Sequence, residues 1–266
     1  ILVSTPITAE PNVVPMSAHK AIVFQDGPDY SSGKVFGVEE ETRVTIASTT
    51  YSDKLLIDFY YPPDILFAEP RPAVLIVNGA QSDVKNRREI GRPYMWTNQS
   101  LGWGQLISEQ GLVAVTYETG SSTEESLMEV VEWLKQNGSV YGVDSDRLGV
   151  WACSNSCISA IKMMRTGNTD FAGKRPIFEV LLYGDMMAYS DIDTTIPLYV
   201  VKAAKDVWAD GNMIDRFVEK LRSRGAAVEY YIHPGDHAFD CRGFECPPET
   251  TAIIQASLAF MVTHSQ

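Results

Sequence analysis

The residues best suited to chemistry lie in Cys153-Ser154-Asn155-Ser156-Cys157, which follows the run Arg147-Leu-Gly-Val-Trp-Ala152 and precedes a helical pattern. A nucleophile on a sharp strand-to-helix turn needs small residues two places before and two places after it, because larger side chains collide in so tight a bend. Ala152 and Ser156 meet that condition for Ser154, whereas Cys153 would have Trp151 and Asn155 in those places. The spacing selects the hydroxyl over the neighbouring thiol, although Ala and Ser stand where the commoner Gly-x-Ser-x-Gly pattern has its glycines.

A serine attacks a carbonyl only when a base removes its proton. The chain has four histidines, His19, His233, His237 and His264. His19 lies near the beginning and His264 near the end, and His233 ends a strand and is expected half-buried. His237, in Pro234-Gly-Asp-His-Ala-Phe239, lies just past the last strand, where a loop can carry an imidazole back to the turn, so it is the expected base. The base needs a carboxylate to fix its tautomer and stabilise the imidazolium. In the order nucleophile, acid, histidine, Asp206 follows the strand Leu198–Lys202 and is the expected acid. Asp210, on the same loop, and Asp185, after the preceding strand, are the alternatives.

The negative oxygen formed on attack needs two backbone N–H groups aimed at it. One is expected from Asn155, the residue after the nucleophile. The other is expected from Asn78-Gly79-Ala80-Gln81, where Gly79 lets the backbone approach closely and Ala80 donates.

Such side chains meet only if a particular set of elements carries them. Residues 1–33 are rich in Pro, Ser and Gly without clear period and are expected to be an irregular lead-in. Val44–Ala47 and Leu55–Tyr61 follow as strands, separated by the polar Ser48–Lys54. In the second of them Leu55, Ile57 and Phe59 alternate with Leu56, Asp58 and Tyr60, which predicts an antiparallel hairpin. The pattern then changes to continuous apolar strands, Ala73–Val77, Leu112–Tyr117, Arg147–Ala152, Phe178–Tyr183, Leu198–Lys202 and Val228–Ile232, as in sheets buried on both faces. Helices fall between and after them at Trp103–Gln110, Glu124–Asn137, Ile158–Arg165, Met213–Ser223 and Thr251–Val262. The second is the most regular: Leu127, Val130, Val131 and Leu134 share one face, Ser121 or Ser122 can cap its start, and Gly138 is expected to stop it. Strands alternating with helices predict an α/β fold with a mostly parallel mixed sheet, an antiparallel hairpin at its start and helices on both faces. The site belongs at the carboxyl ends of the strands. No linker or repeat divides the chain, so one domain is expected over residues 1–266.

With these pieces placed, the chain resembles the α/β-hydrolases, and among them the dienelactone-hydrolase-like group, from about Leu55 to Phe260. The resembling segments are Ile57-Asp-Phe-Tyr-Tyr-Pro62, Ala73–Gly79, Trp103–Glu118, Val143-Asp-Ser-Asp-Arg-Leu-Gly-Val-Trp-Ala-Cys-Ser154 and Gly235-Asp-His-Ala-Phe239. The resemblance implies a serine hydrolase with Ser154, His237 and Asp206 as its triad and with no metal or organic cofactor. Asn78 stands where a His commonly precedes the glycine, and Ser154 stands where some dienelactone hydrolases carry a nucleophilic cysteine. Carboxylic esters are therefore a better expected substrate class than lactones. A binding module without catalysis, and another acyl transfer such as lactone or peptide cleavage, are the alternatives.

Composition narrows the partners. Across 266 residues, Asp+Glu 34 against Lys+Arg 22 gives a net charge of −12, which argues against a nucleic-acid binder. No apolar run approaches the roughly 18 residues a membrane helix needs, so a soluble chain acting on a small-molecule ester is expected. The short loops Thr166–Pro176 and Met186–Pro197 encode no large helical lid, which predicts an open site suited to short acyl groups. Lys85, Arg87, Arg88 and Arg92 form a basic cluster within Gln81–Ser100 that reads either as a solvated loop or as an attractor for a substrate carboxylate. Tyr94, Trp96 and Trp103 line either a pocket or the core. Cys241 and Cys246 bracket Arg-Gly-Phe-Glu and either close a small ring or remain free thiols.

Overall fold

The structure is a computed structural model that describes residues 12–15, 45–52, 55–62, 70–79, 83, 93–169, 171, 174–240 and 248–266. Among the described residues nine strands form one sheet in the order β1-β2-β3-β5-β4-β6-β7-β8-β9. They are β1 (Asn12–Pro15), β2 (Thr45–Ser52), β3 (Leu55–Tyr61), β4 (Arg71–Val77), β5 (Val113–Tyr117), β6 (Val143–Cys153), β7 (Glu179–Leu182), β8 (Leu198–Ala203) and β9 (Val228–His233). Strands β4 to β9 run parallel, while β1, β2 and β3 are antiparallel to their neighbours. The α-helices of the described residues are α1 (Asn98–Glu109), α2 (Thr123–Asn137), α3 (Ser156–Met163), α4 (Gly211–Ser223) and α5 (Pro248–His264).

Two cores sit on opposite faces of the sheet. Leu127, Val130, Val131 and Leu134 of α2, Ile161 of α3 and Phe217 of α4 pack on one face against Leu75, Val115, Val150 and Val200. Trp103 and Ile107 of α1 and Ile254, Leu258 and Met261 of α5 pack on the other against Ile76, Trp151, Val180 and Tyr199. Helices on both faces explain why the central strands are continuously apolar. Trp103 is fully buried and so belongs to the core rather than to a pocket.

The lead-in expected to be irregular contains β1, which pairs Asn12 with Ser48 and Pro15 with Thr45. Four residues are too few to show a period. Strand β2 continues through the polar stretch to Ser52, because its backbone pairs with β3 whatever its side chains are. The alternation read in β3 does not correspond to one wet face. Ile57 to Tyr61 are all buried, since β3 lies inside the sheet beside β5, with Phe59 facing one core and Tyr60 the other. Ser122 caps α2, accepting from Glu125 N. Gly138 does not end the helix with a left-handed residue: its φ is −54°, a 3₁₀ turn continues to Tyr141, and Gly142 at φ 66° makes the turn.

Glu179, in β7, is a buried carboxyl within the sheet. It is fully buried, and neither carboxyl oxygen has a hydrogen-bond partner among the described residues. Desolvation pushes its carboxyl well above the ordinary value of 4.5, so it is held neutral in the fold. The unfolded chain ionises there above about pH 4.5, so the fold loses stability as pH rises through that value. Glu179→Gln should leave the thermal midpoint nearly unchanged at pH 4 and raise it at pH 8, as scanning calorimetry at the two pH values will show.

Candidate active site

Strand β6 runs between β4 and β7, and its carboxyl end delivers Ser154 to the point where the chain's strand order switches sides around β4. Ser154 takes a left-handed backbone, φ 54°, between the last strand residue and α3. Its N–H donates to Leu182 O at 3.0 Å, and its carbonyl accepts from Cys157 N at 3.2 Å. The bend leaves no spare volume. A Cβ on Gly79 would lie 2.8 Å from Ser154 Cβ, and one on Gly184 would lie 2.2 Å from Ser154 O. Ser156 Oγ donates to Asn78 O, tying the first turn of α3 to the end of β4.

Cys153, beside Ser154, faces the other way. It is buried in the core that contains Trp103 and Trp151, and desolvation drives its thiol far above the ordinary range. A thiol held protonated and covered is a poor nucleophile. Cys157 is likewise buried, its Sγ donating to Ala152 O at 3.6 Å.

The structure brings Ser154, His237 and Asp206 into one chain of hydrogen bonds. His237 Nε2 lies 2.8 Å from Ser154 Oγ, and His237 Nδ1 lies 2.7 Å from Asp206 Oδ2. A carboxylate beside Nδ1 assigns the proton to that nitrogen, which leaves Nε2 to accept from the serine hydroxyl. The second oxygen of Asp206 accepts from Trp208 N at 2.8 Å and Ala209 N at 3.1 Å, so the carboxylate is fixed at both ends. Asp210 and Asp185 do other work. Asp210 caps α4 through Asn212 N, and Asp185 accepts from Asp210 N.

Two buried polar clusters hold the loop that carries His237. At its start, His233 is buried rather than half-buried: it stacks on Phe239, contacts Thr250 Oγ1 through Nε2 at 2.7 Å and accepts from Gly235 N through Nδ1 at 2.9 Å. Desolvation lowers its pKa, against the opposing pull of Glu249 and Asp240. At the loop's end, Asp240 is fully buried and accepts from Tyr183 Oη at 2.7 Å, Gln99 Nε2 at 2.9 Å and Trp103 Nε1 at 2.7 Å. Tyr183 in turn sets its ring edge-on to His237, with centroids 4.8 Å apart. The non-glycine residues with positive φ among those described are Ser154, Tyr183 and Ala238, all at this site. The sequence reading missed Asp240 and Tyr183. An acidic residue shortly after the histidine was a visible signal, but its donors come from α1 and from Tyr183 just past β7, far away in sequence.

Asn155 is exposed at the start of α3, and its backbone N–H has no acceptor among the described residues. Ala80, the other expected donor, lies outside the described residues, as do Lys85, Arg87, Arg88, Arg92, His19, Cys241 and Cys246. Among the described residues no group of His, Cys, Asp and Glu has the arrangement of a metal site, and no helix is long and apolar enough to cross a membrane.

The arrangement can move a proton from Ser154 to His237 while Asp206 holds the ring. No protein-family profile and no curated protein sequence matches the chain. Solved structures do match in shape. An α/β hydrolase from a Medee basin deep-sea metagenome has a TM-score of 0.64 at 17% identity, covering 84% of this chain and 98% of that one. A thermophilic esterase from Thermogutta terrifontis has a TM-score of 0.62 at 14% identity, covering 82% and 91%, and has also been solved phosphonylated by sarin. A sugar hydrolase from Lactococcus lactis has a TM-score of 0.61 at 13% identity, covering 83% and 100%. The chain has the α/β-hydrolase fold.

Asp240→Asn puts an amide donor where a buried donor now finds an acceptor. It should destabilise the protein by about 1–3 kcal/mol, measured by urea unfolding.

Proposed function

We propose that the protein is a serine hydrolase of carboxylic esters, resembling the dienelactone-hydrolase-like group but with a serine nucleophile. The reading rests on the hydrogen-bond chain Ser154 Oγ–His237–Asp206, at 2.8 and 2.7 Å, on a strand-to-helix turn. A histidine with a carboxylate on one nitrogen and a hydroxyl on the other has the geometry of a general base serving a nucleophile. The esterase and hydrolases of the same fold support the reaction class.

In this mechanism His237 Nε2 takes the proton from Ser154 as Oγ attacks the ester carbonyl. The carbonyl oxygen becomes an oxyanion, stabilised by the Asn155 N–H and, in this proposal, by the Ala80 N–H. Collapse of the tetrahedral intermediate breaks the bond to the alcohol, which leaves with the proton from His237. Water then attacks the acyl-enzyme, again giving its proton to His237, and release of the carboxylic acid restores Ser154. Asp206 stays ionised throughout and stabilises the imidazolium.

Short acyl groups fit this site best. Among the described residues no helix lies between α3 and β7 or between β7 and β8, so no described helical lid covers Ser154 there. A fully buried methylene contributes about 0.8 kcal/mol, and a long chain that stays wet gains little of it. Acetates and butyrates should be turned over at least as well as palmitates in a panel of nitrophenyl esters.

Asp206→Asn should cut turnover on the order of 10⁴-fold, by analogy with the serine-protease acid. Asp210→Asn should retain it, since Asn caps a helix as well as Asp. The reverse order in steady-state kinetics would move the acid to Asp210.

A further inference from the structure

The loop that follows β7 and one face of α4 form a groove of about 370 Å³, the size of a small-molecule site. None of its lining residues belongs to the hydrogen-bond chain of Ser154, His237 and Asp206. From α4 it takes Met213, Arg216, Phe217 and Lys220, which recur at the three- and four-residue spacing of one helical face. From the loop it takes residues 186–189. Met186 and Phe217 are buried and make its floor. Methionine side chains such as Met186 and Met213 adapt their shape to an apolar guest.

The groove is formed in advance, because cations pin the loop. Lys220 Nζ donates to Ala188 O at 2.8 Å, and Arg224 Nη1 donates to Tyr189 O at 3.2 Å. The Arg165 guanidinium lies 4.4 Å from the centre of the Tyr189 ring and is itself held by both oxygens of Asp191. A site already in shape spends less of its binding energy on ordering.

The charges of the groove itself select its guest. The charged residues that line it, among those described, are Arg216 and Lys220, both cations. Lys220 keeps two N–H donors beyond the one given to Ala188 O. Arg216 Nη2 lies 3.7 Å from the Asp210 carboxylate, beyond hydrogen-bond length, and both side chains are largely exposed. So loose a pair is weak and lets the guanidinium turn toward a guest. Two cations beside one carboxylate leave a single positive charge, which matches a carboxylate better than a doubly charged phosphate. Along α4 the face from Met213 to Lys220 rises about 10 Å, the reach of a medium-length alkyl chain. An uncharged alcohol would leave the cations unused, and a very short carboxylate would leave the floor wet.

We propose that this groove binds a carboxylate carrying an alkyl chain, with the head group on Arg216 and Lys220 and the chain along Met186, Met213 and Phe217. The site stands whether or not the protein hydrolyses esters, since its residues are separate from Ser154, His237 and Asp206.

Titration calorimetry with octanoate tests it. Octanoate should saturate the protein in the millimolar range or below. Octanol, which keeps the chain without the charge, and butyrate, which keeps the charge on a shorter chain, should each bind at least about tenfold more weakly. Arg216→Gln, a surface change that should leave the thermal midpoint unaltered, should weaken octanoate by a similar factor. Methyl spectra of methyl-labelled methionine locate the guest: the Met213 and Met186 signals should shift with octanoate, and that of Met261, on the other face of the sheet, should stay. Lack of saturation by millimolar octanoate, equal binding of octanol, unchanged binding by Arg216→Gln, tighter binding of octyl phosphate, or binding that leaves the Met213 signal in place would overturn the proposal.

Discussion

The left-handed backbone at Ser154 is the constraint around which the site is arranged. A non-glycine residue at φ 54° costs of the order of 1–3 kcal/mol and persists only where its surroundings over-determine it. Here the surroundings are strand pairing and absent side chains. Parallel β7 supplies Leu182 O to the Ser154 amide, and β4 brings Gly79 against Ser154 Cβ. Gly184 passes so near Ser154 O that a methyl group has no room. Because β6 is central and held on both sides by parallel neighbours, the strain cannot relax by moving the strand. The bend directs the hydroxyl toward His237 while its neighbour Cys153 is turned into the core.

The histidine arrives by a different route. A loop from the end of an edge strand has few backbone partners of its own, so its position depends on side chains at its two ends. His233 ties its start to Thr250 of α5, and Asp240 ties its end to α1 and to the residue after β7. Tyr183 links the second tie to the base, with its hydroxyl on Asp240 and its ring against His237. Its own positive φ, 40°, places the ring there. The proposed base is thus held by buried polar groups of α1, of α5 and of the residue after β7, which suits a reaction needing its groups set to within a fraction of an ångström.

Much of this was legible in the sequence because it depended on local rules. Small residues at 152 and 156 marked the bend, continuous apolar runs marked the two-sided sheet, and loop order brought forward His237 and Asp206. Its place just past the strand favoured Asp206 and left Asp210 as the alternative. Each has an ordinary loop role open to it, and only the fold shows one facing Nδ1 and the other capping α4. Asp240, Tyr183 and the buried state of Glu179 were illegible for a related reason, since each depends on residues distant in the chain. The alternation in β3 misled because period two implies one wet face only at a sheet surface, and β3 is covered on both sides.

Ser154, activated by His237, is the proposed nucleophile. The most direct measurement is peptide mapping by mass spectrometry after reaction with a fluorophosphonate. A single phosphonyl adduct is expected on Ser154, formed slowly in His237→Ala and absent from Ser154→Ala. An adduct that persists in Ser154→Ala, or no adduct on the folded parent protein, would contradict it.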